Sequence, residues 1–458
     1  MAVGTTYRPR DLAALAPRFG AAVAACRYES LTAESVRKAK LCLLDFLSCA
    51  LASQELPYCR EAVAVAAPAG RDERCSVIGT SRRASPADAA FANAVLGHAL
   101  VRDDMHLGSV SHLGVVVLPV ALALAEETSP PGDALLAAIA CGYEAGGKIG
   151  RAVLDVDVAK TYRPTGIAGP VAAAATAGKL LGLDADGLAN AIAIAANTVA
   201  GYNEWAATGG SEMFFQVGFA ARNGLTAAQL AAAGAAASAS ALDGDAGLLA
   251  AFGKRCAASV PFDGGDELGA VFFKPVPACN YAQTPAQAAQ RIARDARLVP
   301  ADIEQVLVRV THAAAAYPGC AAAGPFERVL QAKMSIPYNV AVALAAGEFD
   351  EAYYRPGEQS EIARLAQIVR LEVDTALTAA YPARQGAEVV VTLKDGAVHT
   401  ARLDDVVPAS DDDVTRRFET ASARRLGDGA ARRLLDAVMR LEHERDAGRL
   451  ARLASIAA

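Results

Sequence analysis

The sequence predicts a mainly α fold: a long all-helical stretch, then a smaller α+β module, then a charged helical tail. Three observations carry this expectation. From about residue 33 to residue 252 the chain is a succession of Ala-rich apolar runs with no strand rhythm. Near residue 272 the pattern changes to segments that alternate apolar and polar residues, as half-buried strands do. Beyond Ser410 the chain is helical again and rich in Asp, Glu and Arg, as in DDDVTRRFETASARRLGDGAARRLLDAVMRLEHE.

In order, residues 1 to 29 read as a short helix and a linker. Thr32 is placed to cap a helix, with Glu34 in its first turn, and VRKAKLCLLDFLSCALAS continues that helix from amphipathic to fully apolar. CSVIGT at 75 to 80 reads as extended. Ser85 and Pro86 open a helix that delivers His98 to a polar loop, and Leu113 to Glu127 forms the next helix. Further helices are expected over 133–153, 166–181, 185–201, 214–236 and 244–253, because alanine has high helix propensity and small residues permit close packing. In the second part, 304–311, 368–373, 387–393 and 398–403 read as strands, with Lys394, Asp395 and Gly396 as a hairpin turn. Helices over 285–296 and 335–346 lie among them, giving an α+β module of about 130 residues. The C-terminal helix pair is expected to pack back on the first part.

Composition narrows the function. Hydrophobic content of 53% with 21% charged residues describes a globular chain with a large core. A net charge of -6 without a basic block argues against a nucleic-acid partner. The long uncharged stretches are interrupted by polar residues, so no membrane span is expected. The nine cysteines form no CxxC pair, and the N-terminal stretch MAVGTTYRPRDLAALAP lacks an export core, which together predict a cytoplasmic, reduced protein.

The stretch His98 to Pro119, HALVRDDMHLGSVSHLGVVVLP, stands apart. It holds three of the six histidines, His98, His106 and His112, and the acidic pair Asp103 and Asp104, between two apolar helices. Charged groups in such a place must be solvated, paired or used. The spacing H-x4-D-D-x-H-x5-H fits no zinc or facial-triad pattern, so no metal is expected. An acid/base or substrate-binding role is expected for His112 and Asp103, while His98 and His106 read as satisfying backbone groups at helix ends. TYRPTG places Tyr162 and Arg163 before a helix N-terminus, which makes either an anion cradle or an ordinary surface turn. FFKPVPACNYAQTP puts Lys274, Cys279 and Gln283 on an irregular segment at the junction, where Lys274 can anchor a carboxylate or act as a base. AKMSIPYNVAVAL carries Lys333, Ser335 and Tyr338 ahead of an apolar helix.

Together these segments resemble the MmgE/PrpD family, which includes 2-methylcitrate dehydratases, cis-aconitate decarboxylase and iminodisuccinate epimerase. The resemblance runs through CLLDFLSCALAS, SVIGT, AAFANAVLGHAL with its DD pair, SH in the slot of HPS, and YRPTG in the slot of F-H-P-T-G. It continues through GFAARNGLTAAQLA, FKPVPACNYAQ in the slot of K-x-Y-P-C-x-x-x-H, and AKMSIPYNVAVAL. It implies a helical domain from residues 1–271 and 406–458 and a lid-like α+β domain from 272–405. It also implies a homodimer with no cofactor, and a pocket for a small di- or tricarboxylic acid. Family active-site positions correspond to Asp103, His112, Lys274, Tyr338 and Asp104. Arg163, Asp104, His106, Tyr162, Cys279 and Gln283 are expected to bind substrate. The chain departs from the family pattern at Val101, Arg102 and Met105 in the DD motif. It also departs at Arg163 (histidine in the family), Met213 (lysine) and Gln283 (histidine). The expected activity is a dehydratase-like lyase working by α-proton transfer, with specificity shifted from 2-methylcitrate. The alternatives are an epimerase or isomerase of a related acid, and a carboxylate-binding pseudoenzyme.

Overall fold

The computed structural model describes residues 14–68, 74–254, 266–355, 357 and 360–456. The expectations for the first thirteen residues and for Cys256 lie outside this set. The chain is mainly helical, at 61%, and no described helix is long and apolar enough to cross a membrane.

Local chemistry sets the helix ends. Thr32 Oγ1 accepts the Ser35 N–H, at 3.0 Å, and starts the Ala33–Ala52 helix. Ser85 Oγ accepts from Asp88 N, and Pro86 occupies the first turn of the Pro86–His98 helix, where its missing N–H costs nothing. In the charged tail, Ser410 and Asp413 form a reciprocal capping box that opens Asp411–Leu426. Buried helices cross through small residues. A Cβ on Gly224, in Glu212–Ala232, would lie 2.3 Å from the Ala173 Cβ and 2.4 Å from the Pro170 carbonyl of Pro164–Leu180. The alanine bias therefore reflects close packing between helices as well as helix propensity.

Three details differ from the sequence reading. The helix expected over 185–201 stops at Ala196: the Asn197 amide turns back on the Ala193 carbonyl, and Gly201 takes φ +111°. The helix expected over 244–253 is only Leu248–Ala251. The helical part also contains two-residue strands, too short to show a period: β1 (Cys75–Ser76) pairs with β2 (Arg83–Ala84), and β3 (Met105–His106) pairs with β4 (Val271–Phe272).

The larger sheet contains β5 (Ile303–Val310), β6 (Val369–Val373), β7 (Ala387–Leu393) and β8 (Val398–Leu403), in the order β6-β5-β7-β8. Only β5 and β6 are parallel; β7 and β8 form the hairpin, turning through Gly396. Val306, Val308 and Val310 of β5 and Val389 and Val391 of β7 are buried on one face. The Gln283–Ala296 helix covers β7 and β8 and packs on Ile336–Ala346. The Asp411–Leu426 helix lies against Ala33–Ala52, and the chain end is tied down by Gly79 N to the Ala454 carbonyl and by Ile456 N to the Thr80 carbonyl.

Two contacts position the site. Pairing of β3 with β4 brings the segment that carries Lys274 beside the loop that follows His98. The Arg417 guanidinium, on the charged tail, then donates to the Lys274 and Pro275 carbonyls.

Candidate active site

Asp103 lies between two imidazoles. Its Oδ1 is 2.9 Å from His98 Nδ1, and its Oδ2 is 2.9 Å from His112 Nδ1. The His112 N–H is also 3.0 Å from the Asp104 carbonyl, its better-aligned acceptor. Both neighbours of His112 Nδ1 are acceptors, so that nitrogen carries the hydrogen and Nε2 keeps its lone pair. The same argument fixes His98: Nδ1 donates to Asp103, and Nε2, 2.8 Å from an Arg163 Nη2 that can only donate, accepts. His98 is therefore a neutral linker with both nitrogens occupied, while His112 has a free basic atom.

The cluster is closed from solvent. His98 and Lys274 are 0% exposed, Asp103 1%, and His112 and Arg163 5%. Burial lowers the His112 pKa to about 3, with Lys274 pushing the same way and Asp103 opposing. Burial likewise lowers His98. For Asp103 burial works toward a higher value, but the two histidines outweigh it and hold the carboxyl well below its ordinary range. The resting site is an ionised carboxylate between two neutral imidazoles.

Lys274 faces this group from the β4 side. Its ammonium donates to the Val101 carbonyl, at 2.6 Å, and to the Ala278 carbonyl, at 3.1 Å, leaving one hydrogen unassigned. Burial lowers its pKa, with Asp103 partly restoring it. Val101 adopts φ +56°, a left-handed conformation unusual for a β-branched residue, and this aims its carbonyl at Lys274. Arg163 is held by its own backbone N–H to the Gly201 carbonyl, and its guanidinium lies 5.1 Å from the Trp205 ring. Its Nε has no hydrogen-bond partner. Arg163 is buried and so does not belong to an ordinary surface turn.

The three ligand atoms of His98, Asp103 and His112 lie within 4.8 Å of one another, a spacing an ion could bridge. The donor chemistry speaks against it: both Nδ1 atoms carry hydrogens directed at acceptors, and two cationic side chains adjoin the cluster.

Several expected site residues have their side chains engaged by other partners. Tyr338 donates to the Tyr353 carbonyl and lines a separate cavity of about 530 Å³ with Phe326, Tyr354 and Arg364. Asp104 is occupied by Gly114 N and the Tyr143 hydroxyl, and burial raises its pKa to about 6. Both ring nitrogens of His106 are taken, by Ser109 and Glu267. Tyr162 packs on Tyr202 and Phe252. Gln283 spends its amide on the backbone of Val276, Ala278 and Cys279, and so supports the Lys274 turn. Cys279 stays near the site, with its thiol against Cys320. His98, expected to satisfy only local backbone, is instead central, because its ring reaches both Asp103 and Arg163. Tyr317 joins the cluster with no signal in HAAAAYPGC: its hydroxyl accepts from Asn203 and lies against Arg163.

The sequence pattern of the MmgE/PrpD N-terminal domain matches residues 18–259, and that of the MmgE/PrpD C-terminal domain matches residues 276–443. The chain belongs to the MmgE/PrpD family. Among its relatives, cis-aconitate decarboxylase of Aspergillus terreus is 32% identical over 213 residues, 45% of this chain and 43% of that protein. The cis-aconitate decarboxylase-like protein oryM of Aspergillus oryzae is 34% identical over 209 residues, 44% and 43% of the two chains. These matches span less than half the length of the Aspergillus relatives. Cis-aconitate decarboxylase of Mus musculus is 26% identical over 400 residues, 81% of this chain and 79% of that protein.

Family membership gives the Arg163 and Met213 departures a physical reading. Arg163 and Met213 stand at two positions where the resemblance implied histidine and lysine. The Met213 sulfur is 3.0 Å from His98 Nε2 and 3.5 Å from Arg163 Nη2. The two side chains meet at one atom, His98 Nε2, where Arg163 supplies the cation.

Proposed function

We propose that this chain is a cofactor-independent lyase acting on a small di- or tricarboxylate by proton transfer at a carbon next to a carboxylate. The observation that carries the reading is the free Nε2 of His112, held by Asp103 and the Asp104 carbonyl in a buried site beside Lys274 and Arg163. Lys274 and Arg163 would bind substrate carboxylates and stabilise the enolate-like charge of the transition state, an electrostatic contribution that is often the largest in catalysis.

The names of the relatives support carbon dioxide over water as the leaving group, the reverse of the order expected from sequence. In that reaction the C–C bond to one carboxylate breaks and carbon dioxide leaves. Its electron pair shifts across an adjacent double bond, and the carbon next to a second carboxylate takes a proton from His112 Nε2. A bound polyanion raises the His112 pKa from its resting value, so the histidine can arrive protonated. A second reading, loss of water, rests on the unassigned hydrogen of Lys274, which could be given to a departing hydroxide after neutral His112 removes the α-proton.

Proton NMR in D2O with cis-aconitate, citrate and 2-methylcitrate tests the proposal. Decarboxylation of cis-aconitate would appear as a new terminal alkene with one deuterium in the product. Dehydration would appear as alkene signals from the hydroxy acids. Deuterium entering an α-carbon without net change would overturn the lyase reading in favour of an epimerase. Silence with every acid, at enzyme concentrations where binding is seen, would overturn it in favour of a binding protein.

A further inference from the structure

Two thiols meet at the edge of the site, and the reaction above uses neither. Cys279 Sγ and Cys320 Sγ are 3.7 Å apart. They come from separate segments that each carry a residue facing Arg163 or Asp103: Lys274 precedes Cys279, and Tyr317 precedes Cys320 by one turn. Cys279 N donates to the Lys333 carbonyl, Cys320 N to the Tyr317 carbonyl, and Ile336 N to the Cys320 carbonyl, so both backbones are fixed where the sulfurs face each other.

We propose that Cys279 and Cys320 are a reversible oxidation site, converted to a disulfide by a peroxide and restored by a thiol reductant. The two sulfurs differ in environment. Cys320 is 0% exposed and Cys279 7%, so the oxidant meets Cys279 first. Cys279 also has its pKa lowered, first by the Cys320 hydrogen bond and further by Lys274 and Arg163, whereas burial raises that of Cys320. Thiolate character and access are what select a cysteine for oxidation.

The steps balance. The Cys279 thiolate attacks a peroxide oxygen; an S–O bond forms, the O–O bond breaks and hydroxide leaves, giving a sulfenic acid. The Cys320 sulfur then attacks Cys279; the S–S bond forms, the S–O bond breaks, and the hydroxyl leaves as water with the Cys320 proton. Two thiols and one peroxide become one disulfide and two waters. The sulfurs need to close from 3.7 Å to about 2.05 Å. The resulting bond joins the segment bearing Lys274 to the turn bearing Tyr317.

The test uses the reduced full chain, one equivalent of hydrogen peroxide, alkylation of remaining thiols, and peptide mapping without reductant. Cys26 and Cys141 form a second hydrogen-bonded thiol pair, so linkage is read by peptide and not by total thiol count. The expected result is a linked peptide containing Cys279 and Cys320 that disappears on reduction. In Cys320→Ser, and independently in Cys320→Ala, Cys279 should instead accumulate as sulfenic acid, trapped by dimedone. Recovery of wild-type Cys279 fully alkylated, or as sulfinic acid without the linked peptide, would overturn the proposal. The readout needs no substrate, so its outcome is separate from that of the proposed reaction.

Discussion

The 2.8 Å contact from Arg163 Nη2 to His98 Nε2 decides which histidine can move a proton. A guanidinium has no lone pair to offer, so it fixes His98 in the tautomer whose N–H points at Asp103. His112 alone retains an unoccupied ring nitrogen. The first prediction follows: His112→Gln should lower turnover by about 10²–10⁴-fold, the usual contribution of a general acid/base. His98→Gln, which keeps an amide donor toward Asp103, should lower it by less. Steady-state kinetics on whichever acid proves to be the substrate checks both, and equal losses would remove the distinction between the two histidines.

The Arg163 and Met213 pair predicts non-additive behaviour. Met213→Lys alone places a second cation beside Arg163 in a site with little solvent, and an uncompensated buried charge costs about 3–5 kcal/mol. Arg163→His alone removes the cation. The double variant holds one cation, the lysine, at the same place. Urea unfolding of the three variants should show the double variant more stable than Met213→Lys by at least about 2 kcal/mol, a coupling within the range for contacting residues. Additive effects would mean that the two replacements are independent.

Stability should depend on pH through His112. Its folded pKa lies at about 3 against an ordinary 6.5, so between those values the unfolded chain binds more protons than the folded one. Stability is therefore lost as pH falls from 6.5 toward 3, at up to about 1.4 kcal/mol per pH unit for one group. Asp45, raised to about 7 by burial, acts in the opposite direction, since its folded form binds the extra proton between about 3.8 and 7. Only the difference between chains isolates the histidine. The melting temperature of His112→Asn should fall less steeply than that of the wild type as pH is lowered from 6.5 to 4.5. Parallel curves would show that His112 is not held neutral.

Much of this was legible in the sequence because it is local. All four long strands and the caps at Thr32 and Ser85 depend on residues a few positions apart, and their observed bounds lie within a residue or two of the expected ones. Asp103, His112 and Lys274, which the motif resemblance groups, do lie together in one buried cluster. What failed depends on where a helix end points. The sequence marks His98 as a helix-end histidine, and it is one, but its ring extends into the loop and not back along the helix. Tyr338 sits where the motif places it, yet its hydroxyl is taken by the Tyr353 carbonyl. Tyr317 lies on a turn between two of the motifs and far in sequence from Arg163, and no spacing rule links those two residues.

The two tyrosines give a prediction that separates placement from motif. Tyr338→Phe removes a hydroxyl bonded to backbone in the separate cavity, so turnover should stay within about two-fold and stability should fall by about 1 kcal/mol, the net worth of one hydrogen bond. Tyr317→Phe removes the hydroxyl beside Arg163 and should raise KM for the carboxylate substrate by more than it lowers kcat, since Arg163 would lose a positioning partner. A large turnover loss in Tyr338→Phe would return that residue to the site.

Gly114 supplies the last prediction, because it connects site and fold at one atom. It is the first residue of the Gly114–Thr128 helix, and its N–H donates to Asp104 Oδ1. A Cβ there would lie 2.5 Å from Asp104 Oδ2 and 2.6 Å from the Tyr143 hydroxyl. Neither neighbour can retreat easily, since both are buried and bonded to each other. Gly114→Ala should therefore destabilise the chain by about 1–3 kcal/mol through overpacking, despite the higher helix propensity of alanine. The same displacement moves Asp104, whose carbonyl accepts the His112 N–H, so turnover should fall together with stability. Urea unfolding and steady-state kinetics on one preparation test the link: a stable but inactive variant, or an unstable but fully active one, would show that the Asp104 carboxylate and the His112 ring are not mechanically joined.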